Sequence, residues 1–209
     1  MSIVAKKSGT DFPIIDAGTY VARCFSMVHI GTVPELYMGA EKQMNKVRIT
    51  WELPTELVEI EGKEPKVRTV SKDFTLSMNE KSNLCKFLQG WRGKGFTAAE
   101  AEAFDITVLL GKTCMLSIIH QINKDGSRTY ANINSATTLP KGVTCEPQVN
   151  PNFEFTYENF SWEKFNSLPD YMKDKIRKSQ EFQKIEHPEE IQTEHEPDGN
   201  VPPPDDLPF

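Results

Sequence analysis

Residues 46–53 alternate without a break: Val47, Ile49, Trp51 and Leu53 are apolar, and Lys46, Arg48, Thr50 and Glu52 between them are polar or charged. A period of two places the two sets on opposite faces of one β-strand, and Pro54 predicts its end. Upstream, 18–30 is rich in aromatic and β-branched residues and predicts another strand. Gly31, Pro34 and Gly39 predict a loop from 31 to about 43. The acidic stretch 56–64 reads as a connecting loop or hairpin end. Residues 66–77 predict a third strand, with an alternation blurred enough to imply a bulge. The period then changes. Leu84, Phe87, Leu88 and Trp91 fall at offsets of three, four and seven, one stripe of a helix opening at about 79. Thr97 and Glu100 make a capping box for a short second helix ending near Phe104. Residues 113–122 are apolar on both faces and predict a central or covered strand. Asp125-Gly126 is a hairpin signal, and 128–136 completes the pair.

The resulting order is strand, strand, strand, helix, strand, strand. It predicts a mainly β chain built on a five-stranded OB-fold barrel, with the helix between strands three and four. An SH3-like barrel has five strands but lacks a helix of this size there. After a linker to about residue 152, Ser167, Pro169 and Asp170 predict the start of a C-terminal helix. Met172, Ile176, Ser179 and Phe182 form a narrow stripe along it, and Lys173, Lys175, Arg177 and Lys178 occupy its other sides. The favoured reading docks the stripe on the barrel or on a second subunit; the alternative puts the basic sides directly on nucleic acid. The expected organisation is an OB-fold domain over 1–145, a linker and amphipathic helix over 146–185, and a disordered acidic tail over 186–209.

Charge sharpens this division. The chain of 209 residues has 24 Lys and Arg against 30 Asp and Glu, a formal charge of −6. From residue 186 onward there are eight acids and no Lys or Arg, so residues 1–185 hold 24 basic against 22 acidic residues, a net of +2. A mildly basic body carrying a wholly acidic tail is compatible with a polyanionic partner. No apolar run approaches the roughly 18 residues of a membrane span, and the N-terminal residues lack the order of a signal peptide. A cytoplasmic protein is expected.

Catalytic signatures are missing: there is no phosphate-binding GxxxxGK[ST] loop, no HExxH and no GxSxG. Cys24, Cys85, Cys114 and Cys145 form no CxxC pair, and the four histidines fall at no zinc-ligand spacing. Buried free thiols are expected, with no metal and no cofactor. The OB barrel suggests binding instead. Its usual ligand surface is the exposed face of strands two and three, walled by the first-to-second and fourth-to-fifth strand loops. The candidates there are Lys46 and Arg48, then Lys66, Arg68 and Lys72. Lys124 sits at the turn, and Arg128 and Tyr130 share one face of strand five, with Asn132 beyond. Basic groups track phosphates and aromatic rings stack on bases, the combination that binds single strands. Tyr130, Phe74, Phe25 and Tyr37 are the stacking candidates, Phe25 and Phe74 having a core role as the rival reading; Trp51 is assigned to the core.

The last residues, Asp205-Asp206-Leu207-Pro208-Phe209, closely resemble the tip of bacterial single-stranded-DNA-binding proteins. The resemblance implies docking on replication, repair and recombination proteins. Phe209 would fill an apolar pocket, its carboxylate would meet a basic group, and the paired aspartates would engage a basic rim. A second likeness covers most of 12–185. It rests on the stretch 76–84 (LSMNEKSNL), Trp91-Arg92-Gly93-Lys94, Leu110-Gly111-Lys112-Thr113-Cys114, Gly18-Thr19-Tyr20 with Ala22-Arg23-Cys24, and Leu168-Pro169. These residues are similar to a family of phage and prophage single-stranded-DNA-binding proteins. Cys85 departs from the pattern, standing after Leu84 where a basic residue is expected. The likeness implies a phage replication or recombination setting, in the cytoplasm of the host cell, and identifies no contact residues. The expected function is coating of single-stranded DNA without strong sequence preference, with partners recruited through the tip. A recombination mediator or annealing accessory, a protein-interaction adaptor and a metal-dependent nuclease are the alternatives. Homo-oligomerisation stays open.

Overall fold

The computed structural model describes residues 14–60, 62–123 and 125–186, with Tyr37, Ile60 and Lys63 described by their backbone alone. Five antiparallel strands form a curled, open sheet, a half-barrel: β1 (Gly18–Tyr37), β2 (Ala40–Ile60), β3 (Lys63–Thr75), β4 (Thr113–Ile122) and β5 (Thr129–Thr137). Their order across the sheet is β3-β2-β1-β4-β5. Helices α1 (Asn83–Arg92) and α2 (Ala98–Glu102) lie between β3 and β4. A short strand, β6 (Phe153–Phe155), and three helices follow: α3 (Trp162–Ser167), α4 (Asp170–Arg177) and α5 (Gln180–Glu186).

The alternation of 46–53 holds in space. Val47, Ile49, Trp51 and Leu53 are all buried on the inner face of the curl. Helix α1 closes that face, because its stripe of Leu84, Phe87, Leu88 and Trp91 is buried with them. The ring centroids of Phe87 and Trp91 lie 5.6 and 5.7 Å from that of Trp51. Packing of this kind adds about 1 kcal/mol per aromatic pair beyond the area buried. The helix starts later than its sequence predicts: Asn79 makes a turn through its bond from the Lys81 amide, and Ser82 is the N-cap, its hydroxyl accepting from the Cys85 amide. The Thr97–Glu100 capping box opens α2 as expected.

The predicted loop over 31–43 is not a loop. β1 and β2 stay paired out to Tyr37 and Ala40, forming a long two-stranded arm. Met38 and Gly39 turn it with φ of 52° and 83°, the two positive values a tight type I′ hairpin requires. Pro34 fits because an arm edge need not donate a ladder hydrogen bond. Nor does Pro54 end β2. The strand continues to Ile60, and the register with β3 jumps from Leu53–Arg68 to Leu57–Val67. The irregularity expected in the third strand therefore lies on the second, where proline's missing N–H is tolerated. Cys24, Cys85 and Cys114 are buried free thiols, and burial pushes the Cys24 thiol up to about 12.

A second core lies on the outer face. Two bulges in β1, at Phe25 and Ile30, shift its parity. Val28 and Ile30 consequently pack outward against Phe155, Phe165, Leu168, Met172, Ile176 and Phe182. β6 pairs in parallel with Ser26–Val28, just past the stretch of β1 that pairs with β4. The stripe Met172, Ile176, Ser179 and Phe182 is wholly buried, so the helix docks on the sheet. It is not one helix: the chain breaks at Lys178 and Ser179, and the Ser179 hydroxyl caps α5 by accepting from the Phe182 amide. Ser167 does not cap α4, since α3 ends there and the N-cap is Pro169.

Candidate nucleic-acid interface

Strand register decides where each predicted contact residue points. Arg48 pairs with Asp73 and Ile49 with Lys72, so even positions on β2 oppose odd positions on β3. Lys46 and Arg48 are therefore on the outer face, whereas Arg68 and Lys72 share the inner-face row with Val70 and Phe74. Lys66, exposed, continues that row beyond the irregularity at 54–56. The five basic residues expected on one face are thus divided between two. Phe74 is 2% exposed, its ring 4.9 Å from Phe87; it is a core residue and not a stacking platform. Phe25 is a half-buried bulge residue. Lys124, the side chain of Tyr37, and the tip residues Asp205, Asp206, Leu207, Pro208 and Phe209 lie outside the described residues.

Lys72 has a structural task. Its ammonium reaches between the edge strands to the carbonyl of Ile133 on β5, at 2.5 Å, over the rings of Phe74 and Phe87. It bridges β3 and β5, the two edges of the curl that have no ladder between them. Burial holds its pKa below the ordinary lysine value.

Arg48 is fixed equally firmly on the other face. Its Nε and Nη2 donate to Oδ1 and Oδ2 of Asp73 at 2.5 and 3.0 Å, a bidentate pair. Nη1 donates to the Tyr171 hydroxyl at 3.1 Å, and Lys175 Nζ donates to Asp73 Oδ2 at 2.8 Å. Burial is the largest influence on Asp73 and raises its pKa. The bonds and charges of Arg48 and Lys175 together outweigh it and leave the carboxyl below its usual range. The cluster ties β2 and β3 to α4. Lys46 is also paired, to Glu35 on the arm.

Two hollows meet at Asp73. One, about 160 Å³, lies between the arm and α4, lined by Val33, Pro34, Lys46, Lys175 and Lys178 among others. The other, about 430 Å³, follows the open β3–β5 edges and is mostly polar: Arg48, Ser71, Gln121, Asn132 and Asn134 line it. Asn132 Nδ2 donates to Gln121 Oε1 at 2.7 Å. Tyr130, 47% exposed, stands two residues from Asn132 on the same side of β5, with Arg128 exposed beyond it. Amides and cations thus line two hollows that share Asp73, with the exposed Tyr130 ring beyond Asn132 on β5.

Sequence reasoning missed Asp73, Gln121 and Asn134, and it did not place α4 beside the groove. The parity of Asp73 opposite Arg48 needs the register; the basic character of α4 was visible, its position was not. Among the described residues, no three His, Cys, Asp or Glu side chains gather as metal ligands would, and no helix is long and apolar enough to cross a membrane. No family model matches the chain, and neither a curated protein nor a solved structure proved similar to it.

Proposed function

We propose that the protein binds single-stranded DNA, without strong sequence preference, along the outer-face groove between the arm and the β4–β5 hairpin. The observation that carries this is the polar hollow along the β3–β5 edges, with exposed Tyr130 and Arg128 further along β5, in a body (residues 1–185) of net charge +2. Strand order β3-β2-β1-β4-β5, with α1 ahead of β4, is consistent with an OB-type barrel whose edges Lys72 bridges. Such barrels bind single strands by stacking bases on aromatic rings and tracking phosphates with cations. The setting is phage replication or recombination in the host cytoplasm, and the segment 205–209 recruits partner proteins. These last two readings rest on sequence likeness alone.

Titration of labelled oligo-dT across a salt series tests the binding. With four or five phosphates neutralised, log affinity against log salt should fall with a slope of roughly −3. Absence of binding, or binding indifferent to salt, would remove the reading; tighter binding to oligo-U would redirect it to RNA. Deleting 207–209 should abolish partner capture and leave oligo-dT affinity intact or raised. A large loss of DNA affinity would contradict that division.

A further inference from the structure

We infer that α4 forms a wall of the binding groove, with Tyr171 a base-stacking platform and Lys175 and Lys178 its phosphate contacts. This rests on the single-strand reading above and adds a contact surface from outside the sheet. On α4 the buried residues are Met172 and Ile176. Tyr171 and Lys175 on α4 and Lys178 at its C-cap follow at offsets of four and seven, so they share one face, beside that apolar stripe. Lys175 and Lys178 both line the hollow against the arm. Tyr171 stands on Arg48, which lines the hollow along the β3–β5 edges. The row therefore flanks the place where the two hollows meet.

Tyr171 differs from the buried aromatics of this module, and from exposed Trp162, which lies against the rings of Phe160, Phe165 and Phe182. Phe155, Phe165 and Phe182 are buried in the outer core, whereas Tyr171 is 55% exposed. It is nevertheless held in place. Arg48 donates to its hydroxyl, and the guanidinium carbon lies 5.3 Å from its ring centroid. The Asp73 carboxylate fixes that guanidinium by two bonds. An open ring with its orientation set in advance suits stacking, since less side-chain freedom is lost when a base arrives. Among the described residues Lys178 has no ion pair, and Lys175, 47% exposed at its side chain, pairs with Asp73. A polyanion would meet one uncommitted and one shared cation here.

Oligo-dT binding by the full chain and its variants tests the inference. Tyr171→Ala should weaken binding about tenfold with the salt slope unchanged, because stacking releases no counterions. Tyr171→Phe keeps the ring and should stay within about threefold of the parent. Lys178→Ala should reduce the slope by about 0.7. Photo-crosslinking with iodouracil-substituted oligo-dT should place an adduct on Tyr171, a readout independent of any variant's folding. Full affinity in Tyr171→Ala with adducts only on the β4–β5 hairpin would overturn the inference and leave single-strand binding standing. No binding by the parent chain would overturn both.

Discussion

The sheet has a core on each face, and the two are built differently. The inner core joins β-strands to α1, a helix only a few residues beyond β3, and its central member is Trp51 with Phe87 and Trp91 around it. The outer core joins Val28 and Ile30 of β1 to helices more than a hundred residues further along the chain. The first closes the curl; the second is fastened onto it at a few points. One fastening is the Arg48–Asp73–Lys175–Tyr171 cluster. Another is Glu181, whose carboxylate accepts from the Thr32 amide at 2.6 Å and its hydroxyl at 2.7 Å. A third is buried Glu52, which accepts from the amides of Val149 and Asn150 and holds the linker against β2. The contrast suggests a half-barrel that stands by itself and a helical module whose attachment can be weakened separately.

Trp51→Ala should have the largest effect, about 4 kcal/mol, and should lower hydrogen-exchange protection throughout the strands. Ile176→Ala empties a fully buried site of the outer core and should cost about 3 kcal/mol. Its loss of protection should be confined to β6 and α3–α5; if the strands lose theirs equally, the two cores are one cooperative unit. Gly31→Ala comes next, at about 2 kcal/mol. Gly31 has φ of 93°, and a Cβ there would lie 2.7 Å from Ser179 and from the Glu181 carboxylate. Exchange should quicken in α5 while the half-barrel is unchanged. The smallest effect concerns pH. Asp73 has a depressed pKa in the fold, so its stabilisation is present above the unfolded value of about 3.9 and is lost as pH falls through the folded one. Asp73→Asn should cost about 1 kcal/mol at pH 7 and flatten this acid limb, as thermal melts between pH 2 and 5 would show.

Most elements were legible where one period ran unbroken. The row 46–53 and the stripe of α1 each follow a single period, the strand 113–122 is continuously apolar, and each forms as expected. Glycine and proline misled at 31–43 and at 54, because a long paired arm tolerates them at a tight turn, an edge and a bulge. The break between α4 and α5 was hidden for a different reason. Ser179 continues the helical stripe in sequence, yet its hydroxyl leaves the helix to cap the next one and to bond the Tyr157 hydroxyl at 2.6 Å.

The candidate groove was legible only in its parts. Alternation within β2 determined that Arg48 opposes Ile49, and helical spacing determined that Lys175 and Lys178 lie off the stripe of Met172, Ile176, Ser179 and Phe182. Such relations are local, set by the geometry of one strand or one helix. Which lysines share a surface was decided by the register between β2 and β3, which sends Lys72 inward and Asp73 out to Arg48. Which helix borders the groove was decided by the two bulges that turn Val28 and Ile30 outward. Hydrogen-bond pairing between distant segments sets both, and a periodicity confined to one segment carries no information about its partner's phase.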